Sequence, residues 1–321
     1  MSSATEVDHG RMATRPKELT KDAWLDIGSR VRRGVGRDNL SMMAAGAAFY
    51  GLFAIFPAIA ALVSLYGLFT DAATVTEHMR ALEGVLPEEA RGVLDQQLRR
   101  VSGSADQALG FGVIAGLLIA IWSSTRGIKA LMTALNVVYN EEEKRGFIAL
   151  NATALLLTAT VLVVVAVSLA AIALVPVIVA QLPLPPIAET LARLLRWPLL
   201  ALVSLLSLAM VYRYGPSRTR AQWRWVTWGA AVATLLWLIV SGLFSWYVSS
   251  FGSYNETYGS VAAIAVLMMW LWLSAFAVLI GAEINAEMEH QTRRDTTSGR
   301  DQPMGGRGAY VADTLGKGRD R

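Results

Sequence analysis

The chain has no cysteine, so disulfides, thiolate metal sites and cysteine nucleophiles are excluded. Histidine is nearly as scarce, with only His9, His78 and His290. The first and last lie toward the two termini and His78 lies between apolar blocks, so a histidine-based metal hydrolase is not expected. No H-E-x-x-H pair, nucleophile elbow or phosphate-binding glycine loop is present. No cofactor is therefore expected. Charge is also short: 17% of the residues are charged, against about 25% in soluble domains.

Long apolar runs take the place of that charge. Of 321 residues, 54% are hydrophobic, and the mean hydropathy is +0.42. Six blocks are long enough to cross ~30 Å of hydrocarbon, which takes about 20 helical residues. They lie near 40–69, 108–136, 147–181, 191–212, 226–248 and 258–283. No stretch reads as a cleaved signal peptide, because the first block is too long for one and lacks a cleavage site. The fold class expected is an all-α polytopic membrane protein with six transmembrane helices.

Basic residues give the expected orientation. Residues 1–39 hold eight Lys/Arg, and the tail from Gln291 holds seven. The segment between the fourth and fifth blocks holds Arg213, Arg218, Arg220 and Arg224. The intervening turns are poor in basic residues. Both termini are expected in the cytoplasm. The pI near 9.4 then reflects cytoplasmic loops rather than nucleic acid, which is not an expected partner.

Outside the spans, residues 20–37 carry Trp24, Ile27, Val31 and Val35 on one helical face, with Arg30, Arg33 and Arg37 off it. This predicts an amphipathic helix on the cytoplasmic headgroups. Residues 70–107 predict a small external cap of two short helices broken at Pro87. From 291 to 321 the chain is polar and glycine-rich, which predicts a disordered cytoplasmic tail.

Three features are candidate functional positions. Pro57, inside the first span, is a candidate helix break. The turn before the sixth span, with Tyr254, Asn255, Thr257, Tyr258 and Gly259, is expected to be external, with Thr257 capping the helix. The third is a polar cluster. Arg126 lies 18 residues into the second span, ~27 Å from its outer end. Glu283 ends the sixth span at a matching depth. With Lys129, Asn285, Ser123 and Ser124 they predict a cytoplasmic mouth where Arg126 and Glu283 pair, or where a charged headgroup, substrate or ion is received. Small residues at Gly112 and Gly116 form a GxxxG step suited to helix packing or homo-oligomerisation.

The runs "AAGAAFYGLFAIFPAIAALVSLYGLF", "IWSSTRGIKALMTALNVVY" and "YNETYGSVAAIAVLMMWLWLSAFAVLIGAEINAE" together resemble the YihY / virulence factor BrkB family of bacterial inner-membrane proteins. The resemblance covers residues 20–290. It implies a multi-pass inner-membrane protein with six helices and cytoplasmic ends. For activity it implies transport or flipping of a lipid or envelope-related molecule, without enzymatic action. A tRNA-processing ribonuclease is the family's historical label, and a structural or assembly role is a further alternative.

Overall fold

The computed structural model describes residues 9–69, 108–181, 185–250 and 254–318. The expected external cap at 70–107 and the packing around Gly112 and Gly116 lie outside what is described. The first element is a single 3-10 turn, Pro16–Glu18. Helix α1, Lys21–Arg37, starts at Thr20, whose hydroxyl accepts the Ala23 N–H at 3.3 Å. Six long helices follow: α2 Leu40–Phe69, α3 Ala108–Val138, α4 Phe147–Gln181, α5 Pro186–Tyr214, α6 Trp223–Ser250 and α7 Tyr254–Glu289. A single turn, α8 Tyr310–Asp313, lies in the tail. No strand occurs among the described residues, only one antiparallel bridge between Ala221 and Thr297.

All six expected long helices are present. Four carry, within the described residues, a segment long and apolar enough to cross a membrane: Phe147–Ile172, Trp197–Tyr214, Trp223–Val248 and Ile264–Glu289. A shorter apolar segment is Leu40–Ile55. Their outward faces expose Ile148, Leu156, Val163, Leu199, Leu235 and Leu243. An apolar exterior is what lipid selects, because every backbone group is already bonded within its helix.

Each long helix packs on the next, α2 through α7, and α2 closes the ring against α7. Among the described residues the main buried cluster lies toward the end that carries both chain tails. Leu40, Ala44, Met132, Leu135, Leu157, Tyr212, Ala230 and Leu279 meet there. A second apolar cluster of Ala13, Leu19, Ala23, Ile27, Trp225 and Met288 seats α1 across α6 and α7.

Several expectations are corrected. Helix α2 runs through Pro57 without interruption, and α5 does the same through Pro198. A proline deletes one N–H donor, and the remaining helical bonds on either side carry the helix across it. Helix α7 begins at Tyr254, so Tyr254, Asn255, Thr257, Tyr258 and Gly259 lie in its first turns rather than in a turn before it. Thr257 is therefore inside the helix and not its cap. Arg30 is buried, on the inner face of α1. The tail is folded through Gly318, with Gln291, Thr292, Thr296, Arg307 and Ala312 buried.

Candidate functional site at the tail-bearing end of the bundle

The last two turns of α7 read Glu283-Ile-Asn285-Ala-Glu287-Met-Glu289, and all four polar side chains are buried. Residues four apart share a helix face, so these side chains form two stripes. Glu283 and Glu287 face α1. Asn285 and Glu289 face α6 and the segment before it.

On the α1 side, Arg30 binds the Glu287 carboxylate through Nε. Its Nη2 donates to the Glu287 carbonyl at 3.1 Å and to Gln291 Oε1 at 2.7 Å, and its Nη1 donates to the Lys317 carbonyl at 3.1 Å. Every arm of the guanidinium is thus used. The next cation along α1, Arg37, is held by Asp38 through two bonds of 2.7 and 2.8 Å. Glu283 receives neither. It is 1% exposed, and among the described residues its Oε2 has no hydrogen-bond partner. Gly34 lies directly against it, and a Cβ there would collide with Glu283 Oε1.

On the α6 side, Asn285 Oδ1 accepts the Gly229 N–H at 2.7 Å, and its Nδ2 donates to the Val226 carbonyl at 3.1 Å. This stitches α7 to α6 where Gly229 and Gly281 let the two backbones touch. Glu289 takes a two-armed bond from Arg218, at 2.6 and 3.2 Å, with both side chains out of solvent. Thr296 of the tail adds a third bond at 2.7 Å, and the Arg218 guanidinium lies 4.9 Å over the Tyr139 ring.

The residues expected at one mouth are therefore divided. Glu283 and Asn285 are buried in the base of α7 but face opposite neighbours. Lys129 turns toward α4, where its Nζ donates to Asn151 Oδ1 at 2.5 Å and lies 5.4 Å from the Trp122 ring. Ser124 donates to the Ile121 carbonyl, and Ser123 is half-buried. Arg126 is exposed, and no ion pair joins it to Glu283 among the described residues. The helix turn explains this: Gly127 takes the position against Gly51 of α2, and Arg126, one residue earlier, is rotated outward.

Arg30, Arg218, Glu289 and Gln291 were not expected at this site. The available signal was three acids within seven residues at the end of an apolar run, where a membrane helix has no use for unpaired charge. His9 and His290 also belong here. His9 is 2.9 Å from Asp26, and His290 contacts Thr314 at 2.9 Å and the Glu287 carboxylate at 3.6 Å. Among the described residues no group of three or more His, Asp or Glu is placed to hold a metal.

A ring of long apolar helices with a buried polar base defines an integral membrane protein. Residues 31–304 match the model of the family described as Virulence factor BrkB, and the chain belongs to that family. Relatives agree over most of their length. The ribonuclease-like protein YfkH of Bacillus subtilis is 31% identical over 74% of this chain and 86% of its own. A UPF0761 membrane protein of Pseudoalteromonas translucida is 25% identical over 81% of this chain and 84% of its own. One from Stenotrophomonas maltophilia is 28% identical over 78% of this chain and 58% of its own. No solved structure matches the chain.

Proposed function

We propose that the protein moves a lipid or another envelope-related molecule across the bacterial inner membrane, without enzymatic turnover. In this reading it crosses six times and keeps both termini in the cytoplasm. The observation that carries the reading is Glu283. It is a carboxyl buried at the base of a membrane helix, and Arg30 and Arg37 of α1 are already committed to Glu287 and Asp38. Ionisable groups in membrane helices are rare and mark pathways for substrates, ions or protons. Basic residues in both tails and in the segment before α6 support the cytoplasmic assignment. The tails also hydrogen-bond each other, through Arg293 N–H to the Arg11 carbonyl at 2.8 Å and Gln291 Nε2 to the His9 carbonyl at 2.7 Å.

The test is reconstitution into vesicles with a lipid-scrambling and solute-uptake screen. Wild type should show a flux that Glu283→Ala abolishes. Arg126→Ala, an exposed position, should leave most of it. Equal behaviour of empty and loaded vesicles would favour a structural or assembly role. A ribonuclease reading has one support, the name of the Bacillus subtilis relative. It predicts RNA cleavage by rigorously purified protein that a catalytic substitution removes.

A further inference from the structure

A groove of about 480 Å³ lies where the N-terminal segment crosses the start of α6. Its lining is Arg15, Pro16, Lys17, Arg224, Thr227 and Trp228. Arg15, Lys17 and Arg224 are exposed. Among the described residues no carboxylate holds any of the three in an ion pair. The nearby Glu18 is turned back onto the backbone N–H groups of Thr14 and Arg15, at 2.7 and 3.2 Å. Arg224 spends only its Nε, on Gln222 at 2.6 Å. The groove thus offers three cations to an anion and holds no charge of the opposite sign in its lining.

The surface beyond the groove says what kind of anion fits. Trp228 forms its wall and meets Trp24 of α1 with ring centroids 6.4 Å apart. From Trp228 the positions Leu235, Ile239 and Trp246 follow at spacings of seven, four and seven, which is one face of a helix. All four are exposed. An apolar stripe therefore leaves the groove along α6, capped at its start by tryptophans of the type that sit at headgroup level. A free phosphate or a nucleic acid has no use for such a stripe; a lipid has a phosphate for one part and chains for the other.

We infer that this groove binds the headgroup of an acidic glycerophospholipid, with the acyl chains lying along Trp228, Leu235, Ile239 and Trp246. The site is separate from Glu283 and does not depend on the transport reading. It would anchor the N-terminal segment and the α6 end to an anionic leaflet.

The experiment uses the full-length protein, purified in mild detergent and exchanged with equimolar phosphatidylglycerol and phosphatidylcholine. Retained lipid is counted by native mass spectrometry. Wild type should retain phosphatidylglycerol in preference. Arg15→Gln/Lys17→Gln/Arg224→Gln should lower that preference by about tenfold, since each surface cation is worth up to a several-fold factor. A charge-matched control, Arg32→Gln/Arg293→Gln/Arg300→Gln, should retain it. Lys17→Gln and Arg224→Gln alone should each show a smaller loss, which keeps the test open if the triple variant fails to fold. Glu283→Gln should bind lipid as wild type does, so loss of flux and loss of lipid are read apart. The inference is overturned if the groove and control variants retain lipid equally. It is also overturned if millimolar inorganic phosphate or a short single-stranded RNA strips the lipid from wild type, because the recognition would then be of phosphate alone.

Discussion

Two glutamates one turn apart on α7 make opposite demands on their surroundings. Glu287 is matched by Arg30, whose other arms are held by Gln291 and the Lys317 carbonyl, so its neutral isostere leaves a buried guanidinium under-bonded. Glu287→Gln should cost roughly 3–5 kcal/mol, the usual cost of breaking one side of a buried pair. Glu283 has an oxygen with no donor among the described residues, so Glu283→Gln should leave the melting temperature in detergent unchanged or raised. A marked drop for Glu283→Gln would mean that a donor reaches it in solution. The close seat of Gly34 gives a second check. Gly34→Ala forces its methyl into Glu283 Oε1 and should destabilise by about 1–3 kcal/mol. Removing the carboxyl clears that space, so Gly34→Ala should cost far less in a Glu283→Ala background, and the two changes should be non-additive. Additive losses in the melting curves would show that the contact is not the cause.

At the scale of elements, the crossing of α6 on α7 is fixed by two glycines and Asn285. A Cβ at Gly281 would stand 2.6 Å from Ala233 Cβ, the Gly229 carbonyl and the Tyr212 hydroxyl, and one at Gly229 would strike the Gly281 carbonyl. Each added methyl meets a backbone carbonyl that cannot move aside, so Gly229→Ala and Gly281→Ala should each lose folded protein on size exclusion, whereas Gly242→Ala, with open space around it, should not. The helices themselves were legible because hydropathy and length are local properties of sequence, and the starts of α2, α3 and α4 were read to the residue. This crossing was not. Its two glycines are 52 residues apart, and small-residue spacing within one helix, as at Gly112 and Gly116, carries no information about which glycine meets which. The α3–α4 connection is held by charge instead. Arg145 grips Glu143 through Nε and Nη2, each at 2.7 Å, and donates to the Tyr214 and Gly215 carbonyls at the end of α5. The Arg145 bonds bring the Glu143 carboxyl from 4.5 down to about 2. A carboxylate lowered in the folded state stabilises it above the unfolded value, and the contribution is lost as pH falls from there through the folded value. Thermal stability should therefore fall between about pH 4.5 and pH 2, and Glu143→Gln should flatten part of that slope.

At the scale of the whole molecule, the two tails form a single plate over the base of the bundle. Arg11 donates to the Gln291 and Gly316 carbonyls, Thr292 to the Ala13 carbonyl at 2.7 Å, and Arg30 ties α1 to Lys317. Inside the tail, Arg307 donates to the carbonyls of Arg293, Arg294, Gln302 and Ala312, and Asp313 collects the N–H groups of Gly305, Arg307, Gly308 and Ala309. Composition alone reads this segment as disordered because it is polar and rich in glycine. Its order instead comes from one arginine satisfying several backbone carbonyls and from partners about 280 residues away, neither of which leaves a periodic trace in sequence. The tail also shields charge: Glu289 and Arg218 are dry because Thr296 and its neighbours lie over them. Deleting residues 291–321 should therefore leave the apolar helices inserted, since their burial in lipid does not depend on the plate. It should expose the Arg218–Glu289 pair and free α1 and the N-terminal segment. Limited trypsin digestion of the detergent-solubilised protein should then cut at Lys17 or Lys21 much faster than in wild type, with a melting temperature lower by several degrees. Arg307→Ala should reproduce the effect in weaker form, because it unties the tail without removing it. An unchanged cleavage rate in both variants would show that the N-terminal segment is held by α6 and α7 alone, through Leu19, Ile27, Trp225 and Met288.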